Sequence, residues 1–202
     1  MRHQPILVLA GALISAAVLL APARADEAVA LSGERAAMIG QIKEAEDELV
    51  DLAGATPQAK FSWRPRKGVR SVAEVFRHVI IANYMLPSLF GSAPPAGFDM
   101  KTYETAGNDK AEIVRDLKAS FAHLRKAISD TPDGDLSKTV RIFDHDGTAR
   151  EAMMIAVTHA HEHLGQSIAY ARMNGIVPPW TAREQAEAAA AKAKETKEAV
   201  KH

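Results

Sequence analysis

The sequence predicts an all-α protein, a four-helix bundle preceded by an N-terminal signal peptide and followed by a charged helical tail. Three observations lead there. Hydrophobic residues make up 47% of the 202, yet aromatics are only 5%, and the apolar stock is mainly Ala, Val, Leu, Ile and Met. Ala and the unbranched side chains lose little freedom in a helix. Apolar residues recur at three-to-four spacing in long segments. Between these segments lie Gly- and Pro-rich stretches, and several segments open on a Ser, Thr or Asp followed three residues later by Glu, the signature of a capping box.

Residues 1–25 read as a secretory signal. Arg2 and His3 form a short basic region, an apolar run extends from Ile6 to Ala21, and Ala23-Arg24-Ala25 is a small-x-small cleavage site. The run is shorter than the ~20 residues a spanning helix needs, so no membrane association is expected after cleavage. The destination is periplasmic or secreted. Cleavage after Ala25 leaves 23 basic against 25 acidic residues, a net charge of −2.

The bundle is expected over residues 33–180. A first helix runs from about Gly33 to Ala53 and stops before Gly54 and Pro57, with Ile39, Ile42, Leu49 and Leu52 on its apolar face. A second starts at Ser71, boxed with Glu74, and reaches about Phe90. Gly91, Pro94, Pro95 and Gly97 then mark a loop. A third runs from Asp109, paired with Glu112, to about Ser129. The segment from Asp130 to Gly147 is turn-rich, with one β-like stretch from Thr139 to Phe143 and a turn at Asp144-His145-Asp146-Gly147. The fourth starts at Thr148, boxed with Glu151, and ends at Asn174-Gly175 before Pro178-Pro179. A last helix is expected from Thr181 with Glu184 as box partner. The tail, residues 181–202, is almost entirely Ala, Lys and Glu beyond Ala186 and has no apolar stripe, so it should lie in solvent.

Composition excludes several classes. The full chain carries 25 basic and 25 acidic residues, and no basic stripe with interleaved aromatics exists, so nucleic acid is not an expected partner. There is no Cys. Disulfides and a lipid-bearing cysteine are thereby excluded, and any metal site must use His, Asp or Glu.

The chemistry concentrates in the fourth helix. Its stripe reads Ala152, Ala156, His159, His163, Gln166, Tyr170 and Met173, flanked by Met153, Val157, Ala160, Leu164 and Ala171. His159, His163 and Gln166 therefore lie on a face that should be buried, where unpartnered polar groups cost a few kcal/mol. Two His at i and i+4 project side by side and can share one ion. The same spacing also suits a hydrogen-bonded core pair. His78, mid-helix on a face with Val75, Ala82 and Met85, adds a third imidazole from a second helix, the way metal sites in bundles are built. Three neutral imidazoles would leave coordination positions open. His161 should point away from His159 and His163, as a surface residue. His123 has no evident partner. His145 belongs either to a simple turn or to a loop over the site. Gln166 could orient a ligand or substrate, and Glu74 could accept from an imidazole N–H, although its capping role competes. Glu162 has no assigned role, and no general base stands out.

These residues give the chain a resemblance to the DinB-like (damage-inducible) superfamily of four-helix-bundle metalloenzymes, which includes bacillithiol- and mycothiol-dependent S-transferases. Trp63-Arg64-Pro65 with Ser71-Val72-Ala73-Glu74-Val75-Phe76-Arg77-His78 looks like the loop and metal-binding second helix. His159-Ala160-His161-Glu162-His163-Leu164-Gly165-Gln166 looks like the fourth-helix motif. Asn174-Gly175-Ile176-Val177-Pro178-Pro179 looks like its closure. The resemblance covers about Glu34 to Trp180 and implies a three-His site, His78, His159 and His163, for a divalent metal, most often zinc or nickel. It also implies that a homodimer can form. The export signal departs from the many cytosolic members and weakens a low-molecular-weight thiol cosubstrate.

Two functional expectations follow. One is an exported metal-dependent hydrolase or S-transferase-like enzyme acting on a small-molecule substrate. The other is a non-catalytic periplasmic bundle that binds a metal or small ligand, its site closed by a fourth ligand such as His145 or Asp144. A bundle whose core histidines only hydrogen-bond one another is the structural alternative.

Overall fold

The computed structural model describes Leu31 and residues 33–199; the expected signal peptide and the last three residues of the tail lie outside them. Six α-helices and one hairpin are present among the described residues: α1 (Gly33–Ala55), α2 (Val72–Met85), α3 (Met100–Glu104), α4 (Lys110–Asp130), β1 (Thr139–Ile142), β2 (His145–Thr148), α5 (Ala149–Met173) and α6 (Pro179–Ala199). Helices α1, α2, α4 and α5 form the bundle. Each packs on two neighbours, in the cyclic order α1, α4, α2, α5. Chain neighbours α1 and α2 therefore face each other across the diagonal, which is why a long connection, residues 56–71, joins them. The core between the four is aliphatic with a few rings: Ile42, Leu49, Phe76, Ile80, Leu117, Phe121, Leu124 and Met153 are fully buried. No described helix is long and apolar enough to cross a membrane.

The capping signals explain most helix starts. Ser71 and Glu74 form the reciprocal box at α2, and Thr148 and Glu151 form it at α5. At α4 only half of the expected box exists. Asp109 accepts from Glu112 N at 2.7 Å, but the Glu112 carboxylate takes Arg77 Nη2 instead. Opposite charge on a buried guanidinium outcompetes a neutral backbone N–H.

Other expectations need correction. The second helix does not continue to Phe90. It ends at Met85, and Leu86–Phe90 tightens into a 3₁₀ turn closed by Gly91 at φ 99°. Pro87 lacks the N–H an α-helix would use there. The short α3 falls in a stretch read as loop; its start is capped by Asp99. The Asp144–Gly147 stretch is not a turn but mostly strand. β1 and β2 pair antiparallel from Thr139↔Thr148 to Ile142↔His145, so the turn residues are Phe143 and Asp144, and Phe143 sits at φ 50°. Gly147 is required by crowding rather than by a turn: a Cβ there would stand 2.7 Å from both Ile142 Cδ1 and Glu151 Oε2. Helix α6 begins at Pro179 rather than Thr181, since proline suits a first helical position. Its residues beyond Ala182 are exposed, as a helix without an apolar stripe should be. Met173, placed on the inward stripe of the fourth helix, is 62% exposed.

Candidate functional site

Adjacent helices α2 and α5 bring three imidazoles together. His78 comes from the middle of α2, and His159 and His163 come from consecutive turns of α5. One ring nitrogen from each lies within 4.8 Å of the others. His78 Nε2 and His159 Nε2 stand 3.1 Å apart. The ring centroids are separated by 5.0 Å (His78–His159), 4.7 Å (His78–His163) and 4.4 Å (His159–His163). Two nitrogens on one tetrahedral ion at ~2.0–2.1 Å stand about 3.3 Å apart, close to the His78–His159 separation. His163 is buried, while His78 and His159 are half-buried.

Protonation and tautomer also suit ligation. Burial pushes the His78 imidazole down to about 4, helped by the charges of Arg70 and His163. Burial does the same to His159, also to about 4, with His163, His78 and Arg70 contributing. Both are therefore neutral at pH 7. The amide oxygen of Gln166 can only accept, so its 2.8 Å contact with His163 Nδ1 places a proton there and turns Nε2, the other ring nitrogen, to the task of ligation. Gln166 Nε2 in turn donates to the Tyr170 hydroxyl at 3.2 Å, and Tyr170 packs edge-on against Trp63 at 5.4 Å. Loop, helix and imidazole are thus tied in sequence. His159 Nδ1 is buried with no hydrogen-bond partner among the described residues.

The remaining singled-out residues do not join the cluster. The Glu74 carboxylate accepts from Ser71 N at 2.7 Å and from Arg64 Nη2 at 2.8 Å, so it serves the cap and the loop, not an imidazole. His145 is exposed on β2, paired with Asp144 at 3.2 Å, and supplies no fourth nitrogen to the cluster. His161 turns to the other side of α5, where its Nδ1 lies 3.0 Å from the Val157 carbonyl, and its charge is felt by Glu48 of α1. It is half-buried rather than a surface residue. His123 packs against the Tyr84 ring at 5.3 Å, and Glu162 is exposed. Arg70 escaped the sequence reading. It lies in a loop with no periodicity, and only the fold turns its charge toward His78 and His159.

The depressed imidazoles carry a stability consequence. In the unfolded chain these groups titrate near ~6.5. Between that pH and about 4 the unfolded chain takes up protons that folded His78 and His159 refuse. The folded state therefore loses stability as pH falls through this window and keeps it above. The metal-free protein should show a lower urea midpoint at pH 5 than at pH 7, and the difference should shrink in His78→Ala/His159→Ala. An equal drop in that variant would mean other groups cause it.

An all-helical bundle with a three-imidazole cluster between two adjacent helices describes the class of this protein. The sequence profile of the DinB superfamily matches residues 41–167, and the chain belongs to that superfamily. No curated protein matches in sequence. Among solved structures, a DinB-like protein from Bacillus cereus ATCC 10987 is similar, with a TM-score of 0.61 and 17% identity over 70% of this chain and 93% of that one. A DinB-like protein from Bacillus subtilis gives 0.55 and 14% identity over 70% and 93%. YfiT from Bacillus subtilis, described as a probable metal-dependent hydrolase with an unusual four-helix bundle topology, gives 0.57 and 18% identity over 73% and 91%. At these identities the likeness concerns the fold.

Proposed function

We propose that the protein is an exported metal-dependent enzyme acting on a small molecule, with His78, His159 and His163 as ligands of one divalent ion, zinc or nickel. The observation that carries the reading is the convergence of three imidazole nitrogens within 4.8 Å, one of them on a ring whose other nitrogen is held by Gln166. An ion held there would supply Lewis acidity toward a carbonyl, a water or a thiol. The chain's own residues perform the rest. His163 anchors the ion from the buried side. Gln166 holds the proton on His163 Nδ1, and the half-buried flank at His78 and His159 leaves the reactants an approach. The description of YfiT agrees with hydrolysis. The N-terminal signal supports export to a periplasm or the outside.

Gln166→Leu should keep the fold and weaken metal binding by about 10–100-fold, the usual cost of losing a hydrogen bond behind a ligating imidazole. Competition against a chromophoric chelator measures it; unchanged affinity would remove Gln166 from the site.

One observation favours a second reading, a metal-holding module without turnover: among the described residues no carboxylate joins the cluster, so no general base is in place. The deciding experiment uses the mature chain from Asp26, without a His tag. Elemental mass spectrometry should find about one divalent ion per chain. Ester, amide and thiol-transfer substrates are then tested on the loaded and chelated forms. Turnover only in the loaded form supports the enzyme, a bound ion without turnover supports the module, and no ion after reconstitution with zinc or nickel sinks both.

A further inference from the structure

Behind His163 runs a chain of contacts that ends in a buried ring. The Gln166 side chain is held at both ends. Its amide oxygen lies 2.8 Å from His163 Nδ1, and its amide nitrogen donates to the Tyr170 hydroxyl at 3.2 Å. All three residues stand on one stripe of α5, one turn apart. The far end is fixed by a different part of the chain. Tyr170 is only 7% exposed, and its ring meets Trp63 edge-on at 5.4 Å. Trp63 is itself fastened: its N–H donates to the Lys60 carbonyl at 3.0 Å, and its carbonyl accepts from Val72 N at 3.0 Å. Asn174 Nδ2 donates to the Tyr170 carbonyl at 2.9 Å.

A free glutamine side chain samples many rotamers, and fixing one costs conformational entropy. Its amide also has two unlike ends. With the oxygen on Nδ1, the imidazole carries its proton there and Nε2 is the atom left to ligate. With the amide turned over, its NH2 group would donate to Nδ1, and the ring proton would move to Nε2 and block ligation. The Tyr170 hydroxyl accepts from the amide nitrogen, so it keeps that end away from His163. A phenylalanine would keep the ring against Trp63 and lose only this grip.

We propose that Tyr170 is a positioning residue of the three-imidazole site: by holding the nitrogen end of the Gln166 amide, with Trp63 behind it, it keeps the amide oxygen on His163 Nδ1 and Nε2 turned to the ion. The proposal rests on the metal-dependent reading above and extends the site by two side chains that touch no ligand.

The test compares the mature chain with Tyr170→Phe, Gln166→Leu and the double variant, each titrated with zinc against a chromophoric chelator. Tyr170→Phe should weaken zinc binding by roughly three- to tenfold, less than Gln166→Leu, because it loosens the hydrogen bond behind the imidazole without deleting it. In the Gln166→Leu background the same substitution should change the affinity by less than about twofold, since the two residues act through one contact. Zinc affinity unchanged in Tyr170→Phe, or losses that simply add in the double variant, would reduce Tyr170 to a packing role and overturn the proposal. A second readout needs no metal. Long-range proton–nitrogen NMR spectra of the metal-free chains, taken at about pH 8, above the ordinary imidazole value of ~6.5, report which ring nitrogen of His163 carries the proton. It should be Nδ1 in the parent and shift toward Nε2 in Tyr170→Phe; the same tautomer in both overturns the proposal even if zinc affinity falls. If the parent takes up no zinc, the metal reading fails by itself, and these spectra still decide whether Tyr170 acts on His163.

Discussion

His159→Ala/His163→Ala should hold no stoichiometric metal, whereas the parent should hold about one ion per chain. The two residues lie on consecutive turns of α5 and provide two of the three nitrogens that converge. Without them His78 remains as a single imidazole, and one neutral ligand does not retain an ion against water. The loss should also appear as stability. An ion that binds only the folded state adds about 2.7 kcal/mol when its free concentration is a hundred times Kd. Excess zinc should therefore raise the urea midpoint of the parent and leave that of the variant unchanged. The variant should still fold, because the aliphatic core of α1, α2, α4 and α5 is untouched, and far-ultraviolet circular dichroism checks this. A folded variant that still binds one ion per chain would place the metal elsewhere and refute the three-His assignment.

The second large effect concerns Arg77, the neighbour of His78 in sequence. Its side chain is fully buried. Arg77 Nε donates to the Gly107 carbonyl at 2.8 Å, Nη2 pairs with Glu112 of α4 at 3.1 Å, and the guanidinium lies 4.7 Å from the centre of the Tyr103 ring. One residue thus locks α2 to α4 and to the α3 segment. Removing one partner of a buried ion pair costs about 3–5 kcal/mol. Glu112 is one-third exposed and can regain water, so Arg77→Ala should lie near the lower end, about 3 kcal/mol, in urea unfolding. Arg77→Met keeps the apolar stem and should cost less. A loss below about 1 kcal/mol for Arg77→Ala would mean that the packing, not the guanidinium, holds this corner. Because the same helix positions His78, Arg77→Ala should also weaken metal binding.

Much of this protein is legible in one dimension. The four bundle helices follow from apolar spacing, and their starts follow from Ser71 with Glu74, Asp109, and Thr148 with Glu151, because a cap is satisfied within four residues of chain. The inward placement of His159, His163 and Gln166 follows from the same 3.6-residue period. Local rules also account for where the reading failed. Pro87, Gly147 and Pro179 each have a conformational meaning that depends on what surrounds them. Glu112 left its box because a buried arginine 35 residues away in sequence competed for it.

What only the tertiary structure decided is everything that requires two helices at once. The cyclic order α1, α4, α2, α5 sets His78 against His159 across 3.1 Å. The fold aims His145 away from the cluster and commits Glu74 to Arg64. Periodicity specifies which face of a helix is buried, since that depends on the helix alone. Which faces meet depends on how the whole bundle excludes water, and the spacing within a single segment carries no record of that.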